Sequence, residues 1–231
     1  MKIAVLGTGS VGQALAGKLV ALGGTVKIGT RDVAASKAKT QPDGWGNPAI
    51  GTWLQNNPTV ELVTFAEAIA FSDELIVHAM NGRAAIESLK SGNAKNLDGK
   101  TLIDITNPLD FSKGMPPTLF VSNTESLAEQ IQVAFPRLKV VKTLNTMSNP
   151  VMVNTSLVPG NHTVFMSGND ANAKTAVRQL FQSFGWTDTN IMDLGDVTTA
   201  RGTEMILPLW LRVWGKVQTP FFNFSIHVAE K

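Results

Sequence analysis

The chain has 231 residues, 43% hydrophobic and 16% charged, with a formal net charge of +2. That is room for one large domain, or one domain with a small appendage, around a substantial core. A near-neutral balance without a basic block argues against nucleic acid and membrane surfaces as partners, and no apolar run reaches the roughly 18 residues of a membrane span. There is no Cys, which removes disulfides, thiolate catalysis and sulfur-ligated metals together. There is no Tyr either, so a short-chain reductase, which needs a Tyr/Lys pair, is excluded. His78, His162 and His227 lie far apart and none has a ligand at helical spacing, so no metal site is expected. The chain passes from Met1 directly into an apolar strand without the regions of a secretory signal, and the cytoplasm is the expected compartment.

The first 32 residues carry the strongest pattern. Lys2 to Leu6 is a short aliphatic run. Gly7-Thr8-Gly9-Ser10-Val11-Gly12 follows and fits G-x-G-x-x-G. Gln13 to Leu22 has apolar residues at helical spacing, stopped by Gly23-Gly24, and Thr25 to Gly29 is a second apolar run. The glycines therefore sit between a strand and a helix, inside one βαβ unit. Gly7 permits the tight turn, Gly9 lets a pyrophosphate approach the backbone, and Gly12 lets the helix pack close to the strand. The helix start offers free N–H groups and partial positive charge to phosphates. A dinucleotide site is the reading.

The end of the second strand bears on which dinucleotide. An NAD site places Asp or Glu about 20 residues past the glycines, on the ribose 2′-OH. Here the tip reads Thr30-Arg31. A guanidinium grips a 2′-phosphate with parallel hydrogen bonds and a hydroxyl adds another, with Ser36 and Lys37 close behind. NADP is favoured. Asp32 is the competing ribose acid if the strand ends later.

The remaining elements follow in order. Val33 to Thr40 reads as a helix, residues 41–48 as a loop dense in turn residues, Ala49 to Leu54 as a short helix and Val60 to Thr64 as strand three. Phe65 to Phe71 is a brief helix, and Glu74 to Met80 is strand four, apolar enough to be buried on both faces. Arg83 to Leu89 is helical, Lys100 to Thr106 is strand five, Ser126 to Phe135 is helical, and Lys139 to Leu144 is strand six. This alternation predicts a doubly wound, mostly parallel Rossmann sheet with right-handed crossovers. Ligands in such sheets lie beyond the carboxyl ends of the strands. Those tips are Ala79-Met80-Asn81, Thr106-Asn107-Pro108 and Asn145-Thr146-Met147. An Asn amide both donates and accepts, so Ala79, Met80, Asn81, Asn107, Pro108 and Asn145 are candidates to line the nicotinamide. Asn also ends strands for backbone reasons, but three at corresponding tips favour function.

After residue 148 the pattern changes, and a small C-terminal α+β extension (149–231) follows the dinucleotide domain (1–148). His162 to Gly168 reads as a strand. Ala171 to Phe184 is a helix opened by Asn169-Asp170 and closed by Gly185. Asn190 to Gly195 is a strand. Val197 to Trp214 reads as one long helix kinked by Pro208. Its Trp210 and Trp214, with Phe221, Phe222 and Phe224, are too many large apolar groups for a thin segment to hide, which predicts a homodimer.

The opening Gly-Thr-Gly-x-x-Gly, the Gly29-Thr30-Arg31 tip and the late Asp193-Leu194-Gly195 and Ala200-Arg201 segment resemble the NADPH-dependent coenzyme F420 reductase family. The likeness covers nearly the whole chain and is most specific in the nucleotide half. It implies a Rossmann domain with a small C-terminal domain, usually dimeric, that passes hydride directly between NADP and the deazaflavin F420. It also implies that Thr8, Gly9, Ser10, Val11, Thr30 and Arg31 hold NADP. The family's second basic residue falls here near Ala35 or Ser36, with Lys37 as the substitute. Related domains reduce flavin or ferric ions.

Three functions follow. The leading one is hydride exchange between NADP(H) and a deazaflavin or flavin-type ring, for which the protein supplies position, dryness and electrostatics and no catalytic acid or base. A β-hydroxyacid or imine reductase is the alternative, although it usually adds a much larger helical domain. A non-catalytic NADP sensor is the third.

Overall fold

The computed structural model describes residues 1–229; Glu230 and Lys231, the end of the C-terminal segment, lie outside the described residues. In chain order the elements are β1 (Lys2–Leu6), α1 (Ser10–Ala21), β2 (Thr25–Thr30), α2 (Val33–Lys37), α3 (Ile50–Gln55), β3 (Glu61–Thr64), α4 (Phe65–Phe71) and β4 (Leu75–His78). Next are α5 (Ala85–Lys90), α6 (Ala94–Leu97), β5 (Thr101–Asp104), a small hairpin of β6 (Leu109–Asp110) and β7 (Thr118–Leu119), α7 (Leu127–Ala134) and β8 (Lys139–Thr143). Last are α8 (Asn149–Val153), β9 (Val164–Gly168), α9 (Ala171–Phe184), β10 (Ile191–Gly195), α10 (Ala200–Met205) and α11 (Leu207–Val217).

Eight strands form one sheet in the order β10-β9-β8-β5-β4-β1-β2-β3. From β3 to β8 every pairing is parallel. This is the Rossmann-like arrangement expected from the alternation of strands and helices. β9 joins the β8 edge antiparallel, and α9 carries the chain over to β10, parallel to β9. The strands of the C-terminal segment thus extend the sheet of the first 148 residues. No helix of the described residues is long and apolar enough to cross a membrane.

Strand alternation splits the core into two layers. Ile3, Val5, Val77, Ile103 and Val141 face α1, α8 and α9. Ala4, Leu6, Ile76, Leu102 and Val140 face α4, α5 and α7. Both layers are apolar, which is why the central strands read as continuous hydrophobic runs. Helix ends match their sequence signals. Thr64 with Glu67 and Ser126 with Glu129 form reciprocal capping boxes, and Asp170 caps α9, which Gly185 closes at φ +106°.

Three expectations change. The helix from Val33 ends at Lys37, three residues early. The backbone of α3 packs there: Gly51 donates to the Lys39 carbonyl at 3.1 Å, and a Cβ on Gly51 would lie 2.3 Å from the Lys37 oxygen. The long C-terminal helix is two helices, broken at Ile206, and Pro208 lies in the first turn of α11, where its missing N–H costs nothing. Residues 109–119, unassigned by periodicity, form the β6–β7 hairpin.

Candidate functional site

The turn after β1 is shaped by three glycines with three different constraints. Gly7 has φ +121°, and a Cβ there would lie 2.3 Å from the Ala79 carbonyl oxygen. A Cβ on Gly12 would lie 2.1 Å from the Gly7 oxygen. A Cβ on Gly9 would meet nothing within 4 Å. Gly7 and Gly12 are therefore required by the fold, while Gly9 faces open space. Gly9 is also the N-cap of α1 and no side chain occupies its capping position, so the helix N–H groups stay available to an anion. Gln13, nearly buried, donates to the carbonyls of Thr8 at 2.9 Å and Pro48 at 3.0 Å. It ties the glycine turn to the 41–48 loop. Between them lies an open groove of about 450 Å³, lined among others by Thr8, Gly9, Ser10, Lys39, Thr40 and Pro48.

At the β2 tip, Arg31 is exposed and has no ion-pair partner among the described residues. Asp32 is spent differently: its carboxylate accepts the Ala35 N–H at 2.9 Å as the N-cap of α2. The Thr30 and Ser36 hydroxyls are both buried and bond each other at 2.8 Å. Lys37 is exposed at the end of α2 and Lys39 lines the groove. Periodicity missed Lys39 because it carried the helix through to Thr40; with α2 ending at Lys37, Lys39 falls in the stretch that turns along the groove wall.

A second pocket, about 140 Å³, opens at the carboxyl ends of β4, β5 and β8. It is lined by Val11, Ala79, Met80, Ile105, Asn107, Asn145, Met147, Met152, Leu207 and Trp210. Ala79, Met80, Asn107 and Asn145 thus meet there, as their strand-tip positions predict. Asn81 and Pro108 do not line it. Asn81 accepts the Arg83 N–H at 3.0 Å, and the buried Pro108 gives its carbonyl to Phe120. Asn107 and Asn145 are locked together: Asn145 donates to Asn107 Oδ1 and Asn107 to the Asn145 carbonyl, both at 3.0 Å, and Asn145 also donates to the Thr203 carbonyl. Met152 and Leu207 are pocket residues that strand-tip reasoning did not find; a contiguous fold is needed to bring α8 and α11 to the tips.

Directly behind the pocket wall lies a row of charge. His78, Asp104 and Lys142 are register partners on β4, β5 and β8, and none exposes any side-chain surface. Lys142 Nζ lies 2.8 Å from Asp104 and 2.9 Å from Glu204 of α10 and also donates to the Thr106 carbonyl. Glu204 accepts the Leu127 and Ala128 N–H groups at 2.7 and 3.0 Å, charging the start of α7 favourably. Burial pushes the Asp104 carboxyl up, but Lys142 and the His78 hydrogen bond outweigh it and hold it well below the usual range. Burial pushes Lys142 down, and Asp104 and Glu204 outweigh that, so its ammonium holds its proton more tightly than an exposed lysine. His78 bonds Asp104 at 3.2 Å and Ser88 at 3.1 Å. A Ser–His–Asp order results, but Ser88 donates to the Ala85 carbonyl at 2.7 Å and is buried. No substrate reaches this array; it is a structural network.

The C-terminal helices close the far side. Arg201 does not reach the pocket; it pairs with Glu129 through two hydrogen bonds, of 2.9 and 2.5 Å. Trp210 does, and it stacks on Phe222 at 5.0 Å and Trp214 at 6.2 Å. Trp214 in turn meets the edge of Trp45 at 4.9 Å. The loop walling the groove and the helix walling the pocket therefore touch.

The family described as NADP oxidoreductase, coenzyme F420-dependent, matches residues 2–108. The chain is 30% identical over 213 residues to Metalloreductase STEAP3 of Rattus norvegicus, a match covering 90% of this chain; the chain spans only 38% of that relative's length. An imine reductase of Myxococcus stipitatus superposes with TM-score 0.61 at 16% identity, covering 94% of this chain and 63% of that one, which shows a shared fold alone. A crystal structure from Arthrobacter sp. FB24, provisionally named an F420-dependent NADP-reductase, is 52% identical with TM-score 0.92, covering 99% of this chain and 100% of that one. With the glycine turn, the Rossmann-like sheet and both ends of the cleft in place, this chain belongs to the NADP-dependent, coenzyme F420-type oxidoreductase family.

Proposed function

We propose that the protein passes hydride directly between NADP(H) and a planar deazaflavin (F420) or flavin-type ring. The observation that carries this is the lining of the strand-tip pocket, which includes no ionisable side chain among the described residues. Reduction of a hydroxyacid's parent ketone or of an imine calls for a proton donor; exchange between two ring systems calls for position and exclusion of water. NADPH, when bound, supplies the hydride. Gly9 and the open start of α1 receive its pyrophosphate. Lys39, which lines the groove, and the exposed Arg31 and Lys37 that flank α2 are the cations for the 2′-phosphate. Val11, Ala79, Met80 and the locked Asn107–Asn145 pair form a dry, rigid wall for the nicotinamide. Residues 149–231 act as the substrate-side part of the protein through α11.

The same helix supports a homodimer. None of the residues of α11 is fully buried, and Leu209, Val217, Phe221 and Ile226 are exposed in the single chain. Such a face needs a cover, and a second copy provides it.

The test is anaerobic NADPH oxidation against F420, FMN, FAD, ferric chelates, the oxoacids that are the parent ketones of hydroxyacids, and cyclic imines. Single-turnover transfer to F420 or a free flavin is expected. Transfer only to a hydroxyacid's ketone or an imine, or to nothing, overturns the reading.

A further inference from the structure

We propose that the groove between the β6–β7 hairpin and α11 holds the anionic tail of the ring acceptor, with Arg212 as its charge partner. The inference rests on the ring-acceptor reading above and narrows it to rings whose side chain carries a phosphate or carboxylate. The groove has a volume of about 440 Å³ and is lined by Met115 and Pro116 of the hairpin and by Leu211, Arg212, Trp214 and Gly215 of α11. Mostly apolar walls with a placed charged group are the usual make-up of a small-molecule site, and the volume falls within the roughly 300–1,000 Å³ of such sites. The cation is uncommitted. Arg83, Arg137, Arg178 and Arg201 each pair with a carboxylate; Arg212, like Arg31, has no such partner among the described residues. Residues 205–229 contain no Asp or Glu, and the one acid of the hairpin, Asp110, is taken by Arg83 at 2.7 Å. Lys216 stands one helical turn beyond Arg212, and like charges at that spacing weaken a helix slightly. A bound anion relieves that repulsion.

Position identifies the anion as part of the second substrate. The strand-tip pocket, at about 140 Å³, has room for the nicotinamide and leaves most of a second substrate to the adjoining surface. Trp210 lines that pocket and Trp214 lines the groove. The two are one helical turn apart, about 5.4 Å along the axis, and their rings stack at 6.2 Å. A tail running from a ring at Trp210 along this pair arrives at Arg212. At about 100° per residue, Leu211 and Gly215 lie on the opposite side of α11 from the exposed Leu209 and Val217. The groove and the face assigned to a second copy are therefore separate sides of the helix.

The experiment compares acceptors that share a ring and differ in the tail: FMN with riboflavin, and F420 with its tail-less deazariboflavin. Fluorescence titrations on the full chain give the dissociation constants, with NADP+ saturating so that no other phosphate occupies the turn at Gly9. The expected result is that wild type binds the tailed member of at least one pair roughly threefold to tenfold more tightly. Arg212→Ala brings that ratio close to one, and Arg212→Lys keeps part of it. Lys90→Ala, which removes one charge at the end of α5, keeps the wild-type ratio. A ratio near one in wild type overturns the proposal. So does a ratio that survives in Arg212→Ala. So does an equal fall in Lys90→Ala, which marks a general effect of net charge. If wild type binds no member of either pair, the ring-acceptor reading itself fails, whereas binding without discrimination fails only the tail site.

Discussion

Two sets of side chains at the carboxyl ends of the same three strands do opposite work. His78, Asp104 and Lys142 end β4, β5 and β8 on the face toward α5 and α7, with no solvent access. One to three residues further along, Ala79, Met80, Ile105, Asn107 and Asn145 line the pocket, and none is ionisable. On these three strands the ionisable side chains hold the fold, and the side chains lining the pocket are chemically quiet. Position along the chain separates the two sets: the buried residues lie within the strands, and the pocket residues lie in the turns beyond the strand ends. That difference suits a reaction in which the reacting groups belong to the ligands.

The comparison breaks most visibly at Lys142. Lys142→Met leaves Asp104 and Glu204 buried without their cation, a loss of about 3–5 kcal/mol. A fall in melting temperature of roughly 10 °C or more is expected for a chain of this size, with the transfer rate per folded molecule kept within a few-fold. The pH dependence sharpens it. Asp104 has a depressed folded pKa, so its contribution is present above its ordinary 3.8 and is lost as pH falls toward the folded value. Lys142 is raised above its ordinary 10.5, so its contribution is present below that value and lost as pH rises through the folded one. The stability gap between wild type and variant should be flat from about pH 5 to 9 and shrink on the acid side, measured by denaturant titration. A gap unchanged down to pH 2 would show that the ion row contributes nothing.

At the other end of the cleft, Arg31→Ala tests the phosphate side. A charge-assisted contact is worth roughly 1.5–3 kcal/mol, so NADPH affinity should fall about tenfold to a hundredfold while NADH affinity holds. Equal losses for both nucleotides would remove Arg31 from the 2′-phosphate.

The smallest effect is expected at His78. His78→Gln disturbs a bond to Asp104 and one to Ser88, a cost of about 1–3 kcal/mol, without slowing single-turnover hydride transfer more than a few-fold. Loss of a general acid or base costs roughly 10²–10⁴-fold. A thousandfold slower transfer in a stable His78→Gln protein would contradict the direct-transfer reading and restore the hydroxyacid or imine alternative.

Local pattern by itself determined much of this protein. The glycine spacing, the aliphatic runs and the helical periodicities are consequences of steps of one to four residues, so the βαβ opening, the mostly parallel sheet and the capped ends of α9 are all readable along the chain. The family likeness rests on the same short stretches. Tertiary structure alone decided what needed distant segments to meet. Asp32 as a helix cap turns on where β2 ends. Lys39 at the groove turns on α3 packing against α2 and stopping it early. The antiparallel entry of β9 and the break at Ile206 turn on contacts with the sheet. His78 reads as a titratable residue at a strand tip, yet it is sealed inside because Asp104, Lys142 and Glu204, up to 126 residues away, assemble around it. Burial of a side chain is set by every segment that packs over it, and no window along the chain contains that sum.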